Sequence, residues 1–176
     1  YRARTTEDFR DHLRSVLDFL GRDVARRRSV FLGDANALSV PMRRRRTMVD
    51  EIRLALPGRE IHSFGDATLH RTVKVEELRG LGLSRVTLGL ETAHPPLRAG
   101  LHKPGTLEGF ARSVGRVKAA GSRLGITVLV GLGGREFAEG HVSDTVGFLS
   151  ELSLGTGDYV YLSPLRGEGA PSAEEE

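Results

Sequence analysis

Ile126-Thr127-Val128-Leu129-Val130, running straight into Gly131-Leu132-Gly133-Gly134, is the stretch on which the reading of this chain turns. An unbroken apolar and β-branched run does not alternate with polar residues, so both faces of the strand it forms are covered. Such strands belong to parallel sheets clad in helices, and the glycines that end this one mark a tight turn. Val142, Val146, Leu149 and Leu152 then recur at helical spacing and are the expected apolar face of the next helix.

The same alternation extends both ways along the chain. Downstream, Asp158-Tyr159-Val160-Tyr161-Leu162 reads as a strand. Upstream, Ser29-Val30-Phe31-Leu32, Glu60-Ile61-His62-Ser63-Phe64 and Arg85-Val86-Thr87-Leu88-Gly89-Leu90-Glu91 read as three more. Between them lie helices marked by Met48, Val49, Ile52 and Leu56, by the segment 75–81 ending at Gly82, and by Leu107, Phe110, Val114 and Val117 behind a Thr106 cap. Strand starts fall roughly 25–40 residues apart, the length of a βα unit. The chain opens on a helix, with Phe9, Leu13, Val16, Leu17, Leu20 and Val24 at helical spacing behind a Thr5–Asp8 capping box. A self-contained α/β domain ordinarily opens on a strand, so this helix is expected to follow a strand that the sequence lacks.

Composition sets the bounds. With 176 residues, 39% hydrophobic and 28% charged, the chain can bury one core. No apolar run reaches the roughly 18 residues of a spanning helix, and no signal peptide lies within the sequence, so a cytoplasmic, non-membrane protein is expected. There is no cysteine, hence no disulfide, thiolate zinc site or iron–sulfur cluster held by these residues alone. The pI of 9.7 reflects arginine, which supplies all basic residues but Lys74, Lys103 and Lys118. Arg43-Arg44-Arg45-Arg46 reads as the solvated start of a helix; an anion-binding role is the alternative, and nucleic acid is not expected as a partner because no aromatic residue is interleaved for stacking.

Parallel α/β folds bind ligands at the carboxyl ends of their strands. Here those ends are Gly33-Asp34-Ala35-Asn36, His62 to Asp66, Glu91-Thr92, Gly131 to Arg135 and Ser163-Pro164. Glycine and small polar groups suit a polar, nucleotide-like ligand better than carboxylate-driven hydrolysis, though the same residues also make ordinary turns. Gly131–Gly134 lacks the spacing of a dinucleotide fingerprint and the Lys-Ser/Thr of a P-loop. The six histidines show no paired metal spacing, and no nucleophile elbow is present.

Phe31-Leu32-Gly33-Asp34-Ala35-Asn36-Ala37-Leu38, Ile61-His62-Ser63-Phe64, Gly82 to Glu91, Leu101-His102-Lys103-Pro104-Gly105-Thr106, Val128 to Gly134 and Asp158 to Leu165 occur in the order and spacing of one known family. In that register the chain resembles the radical S-adenosylmethionine (radical SAM) superfamily, nearest the branch of oxygen-independent coproporphyrinogen oxidase and the elongator-type proteins. The resemblance implies a partial TIM-type barrel of six βα units with its first strand missing, over residues 1–165; the Gly-, Ala- and Glu-rich tail, 166–176, is expected to be disordered from its composition. It implies that the cluster-binding cysteine loop precedes Tyr1, so that this chain is a truncated domain.

The resemblance also implies site roles. Gly33, Asp34 and Ala35 stand where the family binds the methionine amino group of SAM through backbone carbonyls, with Asp and Ala in place of Gly and Glu. Glu91 stands at a polar position facing the ribose or methionine of SAM, and Lys103 near an Arg that reaches its carboxylate. Val130 and Gly131 match the segment packed on adenine, Leu162 and Ser163 the strand near its edge, and Thr127 a ribose position that some relatives fill with Asp. The implied parent binds a 4Fe–4S cluster and SAM and cleaves SAM reductively to a 5′-deoxyadenosyl radical that abstracts hydrogen from a substrate the sequence does not identify. This chain alone is expected to be inactive. The alternatives are a cluster-free SAM-binding or interaction module and a phosphate-binding TIM-type enzyme using Asp34, Asp66 or Glu91.

Overall fold

The computed structural model describes residues 5–33 and 36–165. Its core is one sheet of five parallel strands: β1 (Ser29–Leu32), β2 (Glu60–Gly65), β3 (Arg85–Glu91), β4 (Arg123–Val130) and β5 (Tyr159–Pro164). Their spatial order is β1-β2-β3-β4-β5, each strand beside the next in the chain. A doubly wound sheet reverses order at a switch point; an unreversed order is that of a singly wound barrel. The sheet curls into a half-barrel, a partial TIM-type barrel as expected.

Seven helices among the described residues connect and cover the strands: α1 (Thr6–Leu20), α2 (Met42–Ala55), α3 (Leu69–Thr72), α4 (Val75–Leu81), α5 (Pro95–Gly100), α6 (Leu107–Ala119) and α7 (Gly134–Glu151). Alternate strand residues face them. Val86, Leu88 and Leu90 of β3 and Leu124 and Ile126 of β4 are fully buried against Ile52, Leu78, Phe110 and Val117. At about 1.5–3 kcal/mol for each fully buried large side chain, this outer layer is where the fold gains its stability. The other parity, Thr87, Gly89 and Glu91 on β3 with Gly125 and Thr127 on β4, faces the inside of the half-barrel.

Helix signals in the sequence hold where capping chemistry is local. Thr5 Oγ1 accepts from Asp8 N and Asp8 Oδ2 from Thr5 N, closing the expected capping box. Thr106 Oγ1 accepts from Gly109 N, and Gly82 ends α4 in the left-handed conformation. Several expectations need correction. The strand read from Ile126 begins at Arg123, because Arg123 pairs in register with Arg85 and its guanidinium reaches Glu60 at 2.6 Å. The last strand starts after Asp158, whose carboxylate instead accepts from Leu124 N and Gly155 N, and runs on to Pro164; this edge position tolerates the missing amide.

The third correction concerns the first half of α7, since Leu149 and Leu152 pack against the core as expected. Val142 and Val146 point outward, 60% and 57% exposed, while His141 and Thr145 are the buried residues of that helix. The arginine run is not uniformly solvated either. Arg45 is buried, its guanidinium donating to the Val40 carbonyl (2.6 Å) and pairing with Glu77 (3.3 Å), which ties α2 to α4. Val24 lies beyond α1 in a 3-10 turn, Gly21–Arg26. Of the earlier expectations, the acidic tail, Tyr1 and the pair Asp34–Ala35 lie outside the described residues.

Candidate functional site

The carboxyl ends of the strands surround a cleft of about 630 Å³ on the inner face of the half-barrel. One wall is aromatic: Phe31 of β1 and Phe64 of β2 lie with ring centroids 4.5 Å apart, and both remain partly exposed. The opposite wall carries Tyr159, Tyr161 and Ser163 of β5. Between them the floor is made of small residues, Thr87, Gly89 and Thr127. Beneath the floor Arg85 stacks its guanidinium on the Tyr159 ring at 4.4 Å, and the Tyr159 hydroxyl meets Thr87 Oγ1 at 3.3 Å.

The polar centre of the cleft is Glu91. A β-bulge interrupts the pairing of β3 with β4 here: Gly89 opposes Thr127, and Glu91, not Leu90, opposes Val128. Leu90 keeps its place among the helices, fully buried, and Glu91 takes a left-handed backbone, φ 63°. A non-glycine residue in that region is strained, and such strain clusters at binding sites. The turn directs the carboxylate into the cleft, where Lys103 Nζ donates to Oε1 at 2.9 Å. Gly89 leaves the room for this pair, since a Cβ there would fall 2.6 Å from Glu91 Oε1.

Lys103 sits on the segment between α5 and α6, where His102 is also left-handed, φ 50°. Arg98 holds that segment by donating to the Thr92 carbonyl (3.1 Å) and the Gly105 carbonyl (3.3 Å); burial lowers the pKa of its guanidinium. On the other side, Asp66 Oδ2 accepts from Asn36 Nδ2 (2.7 Å), and Oδ1 accepts from Thr68 N and Oγ1 (2.7 and 2.6 Å). Asp66 thereby ties the segment after β1 to the end of β2.

Of the residues singled out in the sequence, Glu91, Lys103 and Ser163 come together in the cleft wall. Gly33, Val130, Gly131 and Leu162 lie on the strand-end rim and not in the wall. Val130 and Leu162 have the opposite parity to Thr127 and Ser163 and are 47% and 61% exposed, so only their backbone is positioned toward the cleft's edge. Thr127, read as a ribose position, and Asp66, named for the phosphate-enzyme alternative, also line the cleft, as do Asn36, Thr87 and Tyr161, which were not assigned roles beforehand. The signal for Thr87 was its parity with Glu91 along one strand, and for Tyr161 its parity with Ser163. Among the described residues, no group of three or more His, Asp or Glu is placed to hold a metal ion, and no helix is long and apolar enough to cross a membrane.

No protein family matches the chain at the level of sequence, and no curated protein does. Its fold does match solved structures. Coproporphyrinogen III oxidase (HemN) from Escherichia coli, described as a radical SAM enzyme, is similar over 90% of this chain with a TM-score of 0.60 and 15% identity. HydG, a maturase of the [FeFe]-hydrogenase, is similar over 94% of it with a TM-score of 0.63 and 18% identity. The chain spans only 38% and 37% of those two proteins. The half-barrel built by these residues is therefore the fold of a radical SAM enzyme's barrel, in part.

Proposed function

We propose that this chain is the SAM-binding portion of a radical SAM enzyme. The observation that carries the reading is the strained Glu91, paired with Lys103 in a cleft at the carboxyl rim of a barrel of this fold. SAM is a zwitterion with a purine and a ribose, and the cleft offers each part a partner. Lys103 is the cation for its carboxylate. Glu91 accepts from the ammonium or the ribose hydroxyls. Gly33, at the end of β1, offers a backbone carbonyl to the ammonium; Asp34 and Ala35, which the resemblance assigns to the same role, lie outside the described residues. Val130 and Gly131, with Leu162 and Ser163, offer backbone to the adenine, and Tyr161 offers a ring face. A cleft of this size is in the range that encloses a small ligand.

A 4Fe–4S cluster does not fit these residues, because it is held by thiolates and the chain has no cysteine. When SAM is bound against such a cluster supplied by another segment, the pair furnishes radical chemistry; the residues here hold and orient SAM and exclude water around it. The substrate of that chemistry is outside this reading. A cytoplasmic location belongs to the same proposal, since reduced thiols persist there. The cysteine-free sequence favours one further reading, a SAM-binding module without a cluster, which differs only in what lies outside this chain.

The test is isothermal titration of the 176-residue chain with SAM. Saturable binding is expected, weakened at least about tenfold by Lys103→Met and by Glu91→Gln, each of which removes one charge-assisted contact. Absence of saturable binding by the folded chain sinks the proposal. With a strong reductant the isolated chain should release no 5′-deoxyadenosine, and detecting it would refute the assignment of the cluster to another segment.

A further inference from the structure

Helix α7 places polar residues where a helix covering a sheet normally places apolar ones. His141 is 7% exposed and Thr145 4%, while Val142 and Val146 face outward. Burying polar groups gives no hydrophobic gain and requires every one to be satisfied, so such an inversion needs a reason other than stability. Here the groups are satisfied in one specific way. A carbonyl only accepts, so His141 Nε2–H donates to the Leu129 carbonyl at 2.8 Å, at the end of β4. The other ring nitrogen, Nδ1, meets the Thr92 hydroxyl at 2.8 Å.

Thr92 directly follows the left-handed Glu91 and is fully buried. Its Oγ1 accepts from His94 N (3.0 Å), and Thr145 Oγ1 accepts from Ala93 N (3.1 Å). One turn along the exposed edge of α7, Asp144 Oδ2 lies 2.7 Å from His94 Nδ1. The whole segment from Thr92 to His94 is thus clamped to α7. At its other end α7 begins at the Gly131–Gly133 turn, where Gly131 and Gly133 have φ 83° and 78°.

We infer that His141 is a positioning residue for the cleft. By holding Thr92 it keeps Glu91 turned toward Lys103, and by holding the Leu129 carbonyl it sets the β4 end that leads into Val130 and Gly131. The two sides of the ligand site are thereby fixed to one imidazole. The inference rests on the SAM reading for its functional consequence, but its structural claim is read separately.

The experiment compares His141→Leu, which removes both hydrogen bonds, with His141→Gln, whose amide can replace both. Amide hydrogen exchange and the backbone three-bond coupling of Glu91, which reports its φ, are measured on the full chain without ligand, and SAM affinity by titration. In His141→Leu the Ala93 and His94 amides should lose protection while Leu88 and Ile126 keep theirs, and the Glu91 coupling should shift toward the extended-strand value. SAM affinity should fall about tenfold, the equivalent of one well-oriented hydrogen bond, and His141→Gln should recover most of it. Unchanged exchange and coupling in His141→Leu overturn the inference, and so do equal losses with Leu and Gln. If His141→Leu fails to fold, Thr92→Val removes the hydroxyl that His141 holds without changing shape, and the Ala93 amide and the Glu91 coupling decide; the His94 amide is set aside because it donates to that hydroxyl directly. A wild-type chain that binds no SAM refutes the proposed function alone, and exchange and coupling still decide the role of His141.

Discussion

Lys103 Nζ lies 2.9 Å from Glu91 Oε1, and the two side chains are only 23% and 19% exposed. The two charges pair inside the cleft; under the proposed function a zwitterionic ligand would bring one partner for each charge and replace the internal contact by two external ones. Exchange of this kind spares the site the cost of holding an unpaired charge while empty.

The first expectation concerns the space beneath the pair. In Gly89→Ala the new Cβ would lie 2.6 Å from Glu91 Oε1 and 3.3 Å from Lys103 Nζ. Gly89 is not among the glycines with positive φ, so the backbone accepts alanine, and a less flexible unfolded chain offsets part of any strain. Thermal stability should therefore change little, while SAM affinity drops by about tenfold or more as the carboxylate is pushed from its place. A variant that binds SAM like the wild type would show that the pair does not contribute to the site.

A second expectation separates strain from binding at Glu91. Left-handed backbone costs a residue with a Cβ about 1–2 kcal/mol and glycine nothing. Glu91→Gly and Glu91→Ala both lose the contact with Lys103, but only the alanine keeps the strain. Urea unfolding should find Glu91→Gly the more stable of the two by about 1 kcal/mol, and titration should find neither able to bind SAM well. If the alanine variant is as stable as the glycine one, the φ of 63° is relaxed in solution and the site is not strained.

These two residues also show what could be read from the sequence and what could not. The βα alternation, the strand ends and the place of Glu91 at one of them were legible, because buried parallel strands and glycine turns leave local signatures. Lys103 was reached only through resemblance; no periodicity links it to Glu91, and a loop alone brings them together. The bulge at Leu90 left no signal, since Gly89-Leu90-Glu91 reads as regular strand. The same limit applies to Asp158, which looked like a strand residue by adjacency to Tyr159 and serves instead as a capping group.

Asp158 yields the third expectation, in pH. Burial pushes its carboxyl up, but hydrogen bonds from Lys118 Nζ and from the Leu124 and Gly155 amides outweigh it and hold it below the usual aspartate value. A carboxyl depressed in the folded state stabilises the fold above its unfolded pKa of about 4, and that contribution is lost as pH falls through the folded value. Asp158→Asn should cost about 1–3 kcal/mol at pH 7 by urea unfolding, and the gap from wild type should narrow progressively below about pH 4. Glu60 is likewise held low, by His62 and then Arg123, but it titrates in both proteins and cancels in the difference. A gap that stays constant down to pH 3 would mean the hydrogen bonds, not the charge, carry the effect.

The last expectation reverses what helical periodicity alone recommends for α7. Read as an amphipathic pattern, Val142 and Val146 are the residues to protect and Thr145 the one to replace. With Val142 60% exposed, Val142→Lys should shift stability by no more than about 0.5 kcal/mol. Thr145→Val keeps the volume of a 4% exposed side chain but strips the acceptor from the Ala93 amide, which no other contact satisfies among the described residues. A buried amide left without a partner costs about 1–3 kcal/mol, so the nominally more hydrophobic variant should be the less stable one in urea. If Val142→Lys proves the more damaging of the two, the first half of α7 packs with Val142 inward, and His141 no longer faces Thr92.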